Sequence, residues 1–70
     1  MELIINGKAE QLPEDISAAQ LIEQLGLANE RLAMEVNREI VPRSNFEAHI
    51  FKAGDQIEIV RAIGGGQPRT

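Results

Sequence analysis

The sequence predicts an α+β fold in which one helix packs across a mixed sheet of four to five strands. Three observations predict it. An Asn-Gly pair at positions 6 and 7 separates two short strand-like runs near the N-terminus. One amphipathic segment, residues 18–25, carries signals for both of its ends. Apolar and polar residues alternate in residues 56–61, as expected for a half-buried strand.

The first two runs predict a β-hairpin. Residues 2–5 are mostly apolar, and residues 8–12 come directly after Asn6-Gly7. Asn-Gly favours a type I′ turn, because both central residues of that turn need a positive φ. Pro13 ends the second strand, since proline has no N–H to donate to a neighbouring strand.

Residues 18–25 are predicted to form the only helix. Ser17 at the N-cap and Gln20 three residues later match a capping box, and Ile16 and Leu21 occupy the positions of a hydrophobic staple. Gly26 fits the left-handed position after the helix, where the chain closes a Schellman motif. The apolar positions share one face, which needs a sheet to cover it; they are Ala18, Leu21, Ile22 and Leu25.

The second half of the chain reads as three strands separated by turns. Residues 32–36 predict a third strand, and Ile40-Val41 a short fourth strand that Pro42 stops. Residues 44–47 suit a single turn, and Ala53-Gly54-Asp55 predicts another turn before the last strand. The order hairpin, helix, strands, final strand fits the β-grasp topology best, in which the first and last strands pair in parallel at the centre of the sheet.

The predicted domain spans residues 1–63, and residues 64–70 form a flexible glycine tail with a short extension. Gly64, Gly65 and Gly66 have no side chains, so this segment is able to thread a narrow channel. Residues 63–66 reach about 13 Å when extended. Val60 and Ala62 alternate away from Ile57 and Ile59, and with the adjoining Ile63 they form a candidate docking face beside the tail. Packing at the sheet edge is the alternative interpretation.

Composition excludes several classes of function. The net charge of −4 disfavours nucleic acid and anionic membranes as partners. No apolar run approaches the length of a membrane span, and the N-terminus lacks the features of a signal peptide, so we expect a cytoplasmic protein. The absence of cysteine removes disulfides, thiol nucleophiles and thiolate ligands.

The sequence offers no set of catalytic residues. His49 is the only histidine, so a transition-metal site is not expected, and the residue is interpreted as a surface or strand residue with no chemistry. Glu14-Asp15 precede the helix and suit its positive end. Arg43 and Arg61 are interpreted as solvated surface charges. The chain itself is therefore predicted to be non-catalytic.

Over about residues 1–66, the sequence resembles the ThiS family, the sulfur carriers of thiamine thiazole biosynthesis. The order and spacing of four segments carry the resemblance, and no single segment does. They are Ile5-Asn6-Gly7; residues 33–37 with residues 40–43; residues 53–55 with residues 57–60; and residues 62–66.

The resemblance implies a ubiquitin-like β-grasp fold and a carrier function. The carboxylate of Gly66 would be activated with ATP by an adenylating enzyme of the ubiquitin-activating type and converted to a thiocarboxylate. A cysteine desulfurase relay would supply the sulfur and thiazole synthase would take it, while Gly64 and Gly65 thread the tail into the partner. No cofactor would be bound by the chain itself. A molybdopterin-type sulfur carrier and a ubiquitin-like interaction module with an inert tail are the alternatives.

One departure from the family pattern lies beyond the glycines. Residues 67–70 come after Gly66, whose carbonyl is therefore in a peptide bond and cannot be adenylated. Proteolytic maturation, a cloning addition, or a homologue that carries no sulfur would each explain this. We expect a precursor from which the last four residues are removed.

Overall fold

The computed structural model describes residues 1–61. The predicted hairpin forms from β1 (Glu2–Ile5) and β2 (Lys8–Gln11), paired antiparallel. Asn6 and Gly7 have φ values of 51° and 82°, so the predicted type I′ turn is confirmed in its positive φ at both positions.

Helix α1 (Ala18–Gln24) begins and ends as predicted to within one residue. The Ser17 side chain accepts from the backbone N–H of Gln20, and the Gln20 side chain accepts from the N–H of Ser17, which completes the capping box. At the other end, Leu27 N–H donates to the carbonyl of Ile22 and Gly26 N–H to that of Glu23, the two bonds of a Schellman motif.

The second half of the chain supplies β3 (Leu32–Val36), β4 (Glu39–Val41) and β5 (Gln56–Arg61), with a single 3₁₀ turn at Arg43–Asn45. Within the described residues, the five strands form one sheet in the order β2-β1-β5-β3-β4. β5 lies at its centre, parallel to β1 and antiparallel to β3. The predicted pairing of first and last strands is therefore confirmed, and the sheet with its one helix is a ubiquitin-like β-grasp.

The core lies between α1 and one face of the sheet. Burial of apolar side chains there supplies the main driving force for folding. Leu25 was expected in this set but is 43% exposed, because it is the C-cap residue where the helix turns away. The buried apolar residues are Leu3, Ile5, Ile16, Ala18, Leu21, Ile22, Met34, Val36, Val41, Phe46, Phe51, Ile57 and Ile59.

Candidate functional site

The predicted tail follows β5 in the sequence, so the end of β5 is the part of the sheet nearest to it along the chain. Val60 lies on the helix-free face of the sheet with 65% of its surface exposed, as the alternation predicts. Its role in docking stays a prediction. The other predicted site residues lie outside the described residues; they are Ala62, Ile63, Gly64, Gly65 and Gly66.

Asn6 holds β5 on its β1 side. Its side-chain Oδ1 accepts from the N–H of Ile59 at 2.9 Å, and its Nδ2 donates to the carbonyl of Ile59 at 3.3 Å. Its own backbone N–H donates to the carbonyl of Ile57 at 2.8 Å. β1 itself pairs with β5 only at Ile4 and Ile5. The amide of Asn6 therefore continues the parallel pairing farther along β5, toward the tail.

Asn37 holds the beginning of β5 in the same way from the β3 side. Its Oδ1 accepts from the N–H of Gln56 at 3.0 Å, and its backbone N–H donates to the carbonyl of Gln56 at 2.7 Å. Its Nδ2 donates to Asp55 at 3.1 Å. Like Asn6, it has a φ of 51°, a conformation that asparagine tolerates better than most residues. Two asparagines in hairpin turns thus fix the strand that leads to the tail.

Arg43 corrects the sequence prediction. Its guanidinium donates to the carbonyls of Ala28 at 2.8 Å and Glu30 at 3.0 Å, and lies 5.7 Å from the ring centre of Phe46. Although its side chain is exposed, Arg43 therefore makes specific contacts that tie the loop before β3 to the 3₁₀ turn. Two loop carbonyls suit the fork of N–H donors that arginine offers.

Arg61 is closer to the solvated surface charge that the sequence predicts. Its guanidinium lies 3.8 Å from the carboxylate of Glu30, and both side chains are substantially exposed, at 60% and 44%. An exposed pair at this distance contributes little to stability. Through Glu30, however, the loop that Arg43 holds also reaches the last described residue of β5.

Residues 1–61 present no group of three or more acidic or histidine side chains arranged to hold a metal ion. His49 packs edge-to-face on Phe51, with ring centres 5.2 Å apart. No helix in this part of the chain is long and apolar enough to cross a membrane.

Comparison with known proteins gives consistent results. The ThiS family model matches residues 2–66. The sulfur carrier protein ThiS of Escherichia coli (strain K12) is 35% identical over 66 residues, covering 94% of this chain and all of that protein. The crystal structure of a thiamine biosynthesis protein (ThiS) from Geobacter metallireducens superposes with a TM-score of 0.81 at 32% identity, covering 94% of this chain and all of that chain.

A thiazole synthase from Paramagnetospirillum magneticum is 38% identical over all 70 residues of this chain. The chain spans only about a fifth of that protein's length (22%), and the same holds for a second bacterial thiazole synthase, from Magnetococcus marinus (21%).

Proposed function

The chain belongs to the ThiS family, and from that premise we propose that it is a sulfur carrier for thiazole formation in thiamine biosynthesis. Its sulfur is carried on the carboxyl carbon of Gly66. The observation that carries this proposal is the extent of the family match, which runs from residue 2 through residue 66 and so includes all three glycines.

The chemistry rests on the properties of a terminal carboxylate. A free carboxylate is ionised at neutral pH and is a poor electrophile. One of its oxygens attacks the α-phosphorus of ATP, pyrophosphate leaves, and an acyl adenylate forms. The terminal sulfur of a persulfide then attacks the carbonyl carbon, AMP leaves with that oxygen, and an acyl disulfide forms. A thiol cleaves this acyl disulfide, supplying the two electrons and ending in a disulfide with the sulfur donor. The product is a thiocarboxylate on the backbone terminus, which suits a chain with no cysteine.

Three partners are implied. An adenylating enzyme of the ubiquitin-activating type binds the ATP, a cysteine desulfurase relay supplies sulfur, and thiazole synthase receives it. The names of the thiazole synthases that match this chain support the last of these. The chain acts as a co-substrate and binds no cofactor itself. The proposal places it in the cytoplasm, where thiols stay reduced.

The tail and the fold have separate tasks in this proposal. Ordering three glycines in a partner's channel costs about 3–6 kcal/mol, at 1–2 kcal/mol for each residue. A glycine tail therefore binds weakly by itself, and the globular domain has to supply the rest of the affinity. Two asparagine contacts to β5 support this division, because they fix the strand from which the tail departs.

Cleavage of the Gly66–Gln67 bond is part of the proposal, because the carboxylate must be free before it can be adenylated. The test uses two forms of the chain, one ending at Gly66 and one ending at Thr70. Each is incubated with ATP and the adenylating enzyme of the same genome, and intact masses are measured. An adenylate on the shorter form alone supports the proposal. An unmodified shorter form contradicts it and favours an interaction module with an inert tail.

A further inference from the structure

The face of the sheet opposite α1 combines exposed aliphatic side chains with unopposed negative charge. Ile40 is 73% exposed and Val60 65% exposed on this face, and Ile4 is half-buried there. The strand pairing places Ala33 directly beside Val60. Val60 and Ala33 adjoin, whereas Ile40 and Ile4 lie on other strands, so the aliphatic side chains are spread over the face and do not form one contiguous patch. They can therefore mark an interaction surface only together with the charges between them.

Two glutamates lie between these aliphatic residues. Glu35 and Glu58 are directly opposite each other in the β3–β5 pairing, and Ile40 is opposite Glu35 on its other side. Both carboxylates are exposed. Like charges at directly opposite positions of an antiparallel pair lower stability. The fold therefore carries a repulsion here that its own packing does not require.

No basic side chain within residues 1–61 forms an ion pair with either glutamate. The ion pairs in that part of the chain join Met1 to Glu14 and Arg61 to Glu30. The strands contain two basic residues within the described part of the chain, Lys8 and Arg61. Lys8 is paired with Ile5 and Arg61 with Leu32, and residues paired directly opposite each other share a face, so both belong to the side of the sheet that the helix covers. On the helix-free side, the charged strand residues are Glu2, Glu35 and Glu58.

We propose that this face, centred on Glu35 and Glu58, docks a basic and apolar surface of thiazole synthase, with an arginine of the synthase between the two carboxylates. A guanidinium has N–H donors on more than one edge, so one side chain can serve both carboxylates, and arginine is enriched in protein interfaces. The aliphatic stems of the partner pack on Val60 and Ile40. The docking relieves the repulsion that the free chain carries.

Two observations favour thiazole synthase as the protein that binds this face. One is the similarity of the chain to parts of two thiazole synthases, and the other is the position of the face beside β5. In two thiazole synthases a segment matching this chain belongs to the same polypeptide as the rest of the protein, which keeps the two parts at high effective concentration. Val60 belongs to β5, so a partner on this face also lies next to the strand that leads to Gly66. This choice of partner rests on the proposed function.

The face is small, which suits a partner that has to dissociate after each transfer. Five strands spaced about 4.8 Å apart give a face about 19 Å wide. With strands of three to six residues, at about 3.3 Å for each residue, the face covers on the order of a few hundred Å². That is less than the roughly 800 Å² that each partner buries in a standard interface, and it suits a transient contact. A carrier that alternates between enzymes needs rapid release, so a compact contact in which charge sets specificity fits its task.

The test measures binding of the full 70-residue chain to purified thiazole synthase of the same genome by calorimetry at two salt concentrations. The test variant is Glu35→Gln with Glu58→Gln. The matched control is Glu39→Gln with Glu47→Gln, which makes the same change in net charge at exposed residues away from this face. Ile40→Ser tests the aliphatic part, and its high exposure leaves the core intact.

We expect the test variant to bind about tenfold more weakly and the control to stay within about twofold of the unchanged chain. The midpoint of thermal unfolding of the test variant should be unchanged or raised by about 1–4 °C, because the repulsion is gone. Weaker binding together with undiminished stability separates a docking role from damage to the fold. The loss should shrink at high salt.

Equal losses in the test and control variants would overturn the proposal, since only net charge would then matter. Unchanged binding of the test variant, or no binding of the unchanged chain, would also overturn it. A loss seen only with the adenylating enzyme would show that the occupant is wrong. Thiocarboxylate formation is measured separately. If the binding results are as expected but no thiocarboxylate forms, the sulfur chemistry alone is rejected. If a thiocarboxylate forms but the test variant binds thiazole synthase as well as the unchanged chain, the docking face alone is rejected.

Discussion

The side-chain amide of Asn6 pairs with both backbone groups of Ile59, accepting from its N–H at 2.9 Å and donating to its carbonyl at 3.3 Å. The two residues are 53 positions apart in the sequence. An asparagine in the first turn of the chain thereby acts as one more strand residue beside β5. In this way it holds the described end of β5, after which the chain continues to the glycines.

Replacing Asn6 should loosen the end of β5. Asn6→Asp keeps the acceptor for Ile59 N–H but places a carboxylate oxygen near the Ile59 carbonyl, so we expect a loss of about 1–3 kcal/mol in the free energy of unfolding. Asn6→Gly is the matched control for the backbone, because glycine accepts the positive φ at this position without the side-chain bonds. Hydrogen exchange of the Ile59 amide measures the effect directly.

Asn6→Gly should expose the Ile59 amide to faster exchange, because it removes the acceptor of that N–H. In Asn6→Asp, which keeps an acceptor, the Ile59 amide should change only as far as global stability falls, as should the amides of α1 in both variants. If the Ile59 amide of the Asn6→Gly variant stays as protected as in the unchanged chain, the side chain of Asn6 does not hold β5.

Arg43 provides a second prediction. Arg43→Lys retains the positive charge but replaces the fork with a single ammonium group, so it cannot hold the carbonyls of Ala28 and Glu30 in the same geometry. We expect a loss of about 1 kcal/mol in the free energy of unfolding. Exchange in residues 28–31 should rise locally.

Arg31→Lys is the control for this change, because Arg31 is exposed and lies in the same loop. It should leave stability within about 0.5 kcal/mol of the unchanged chain. Equal effects of the two substitutions would mean that the contacts of Arg43 carry no specific stabilisation.

The tail glycines can be separated from the fold. Deleting Gly65 and Gly66 should abolish sulfur transfer and leave the midpoint of thermal unfolding unchanged, because neither residue belongs to the fold that the structure describes through Arg61. Gly65→Val, in a chain ending at Gly66, should also block transfer, since a β-branched side chain does not fit a channel shaped for glycine. Gly65→Ala adds only a methyl group and should reduce transfer less than Gly65→Val does.

A large loss of thermal stability on deleting the two glycines would contradict the separation of tail and fold. Undiminished transfer by the Gly65→Val variant would contradict the narrow channel.

The local elements of this fold are readable from the sequence because their signals lie within a few residues of each other. Ser17 and Gln20 cap the helix, and Gly26 ends it, through bonds that span five residues or fewer. The Asn6-Gly7 turn is likewise specified by its own two residues. The order of these elements was enough to predict the central position of β5.

Contacts between distant residues were not predictable in the same way. The Asn-Gly pattern indicated a turn, but nothing near Asn6 indicates that its amide reaches Ile59. Arg43 was misread because its acceptors are backbone carbonyls, which leave no trace in the sequence. The opposition of Glu35 and Glu58 depends on the register of β3 against β5, which the alternation of each strand alone does not determine.

The most direct test of the central claim is the intact mass of the chain ending at Gly66 after incubation with ATP, the adenylating enzyme and a sulfur source, compared with the 70-residue chain treated in parallel. If the chain is a sulfur carrier, the shorter form gains the mass difference of one sulfur for one oxygen, located at Gly66 by fragmentation, while the longer form stays unmodified, as the proposal requires. A shorter form that remains a carboxylate under conditions in which the same enzymes modify the ThiS protein of Escherichia coli would contradict it.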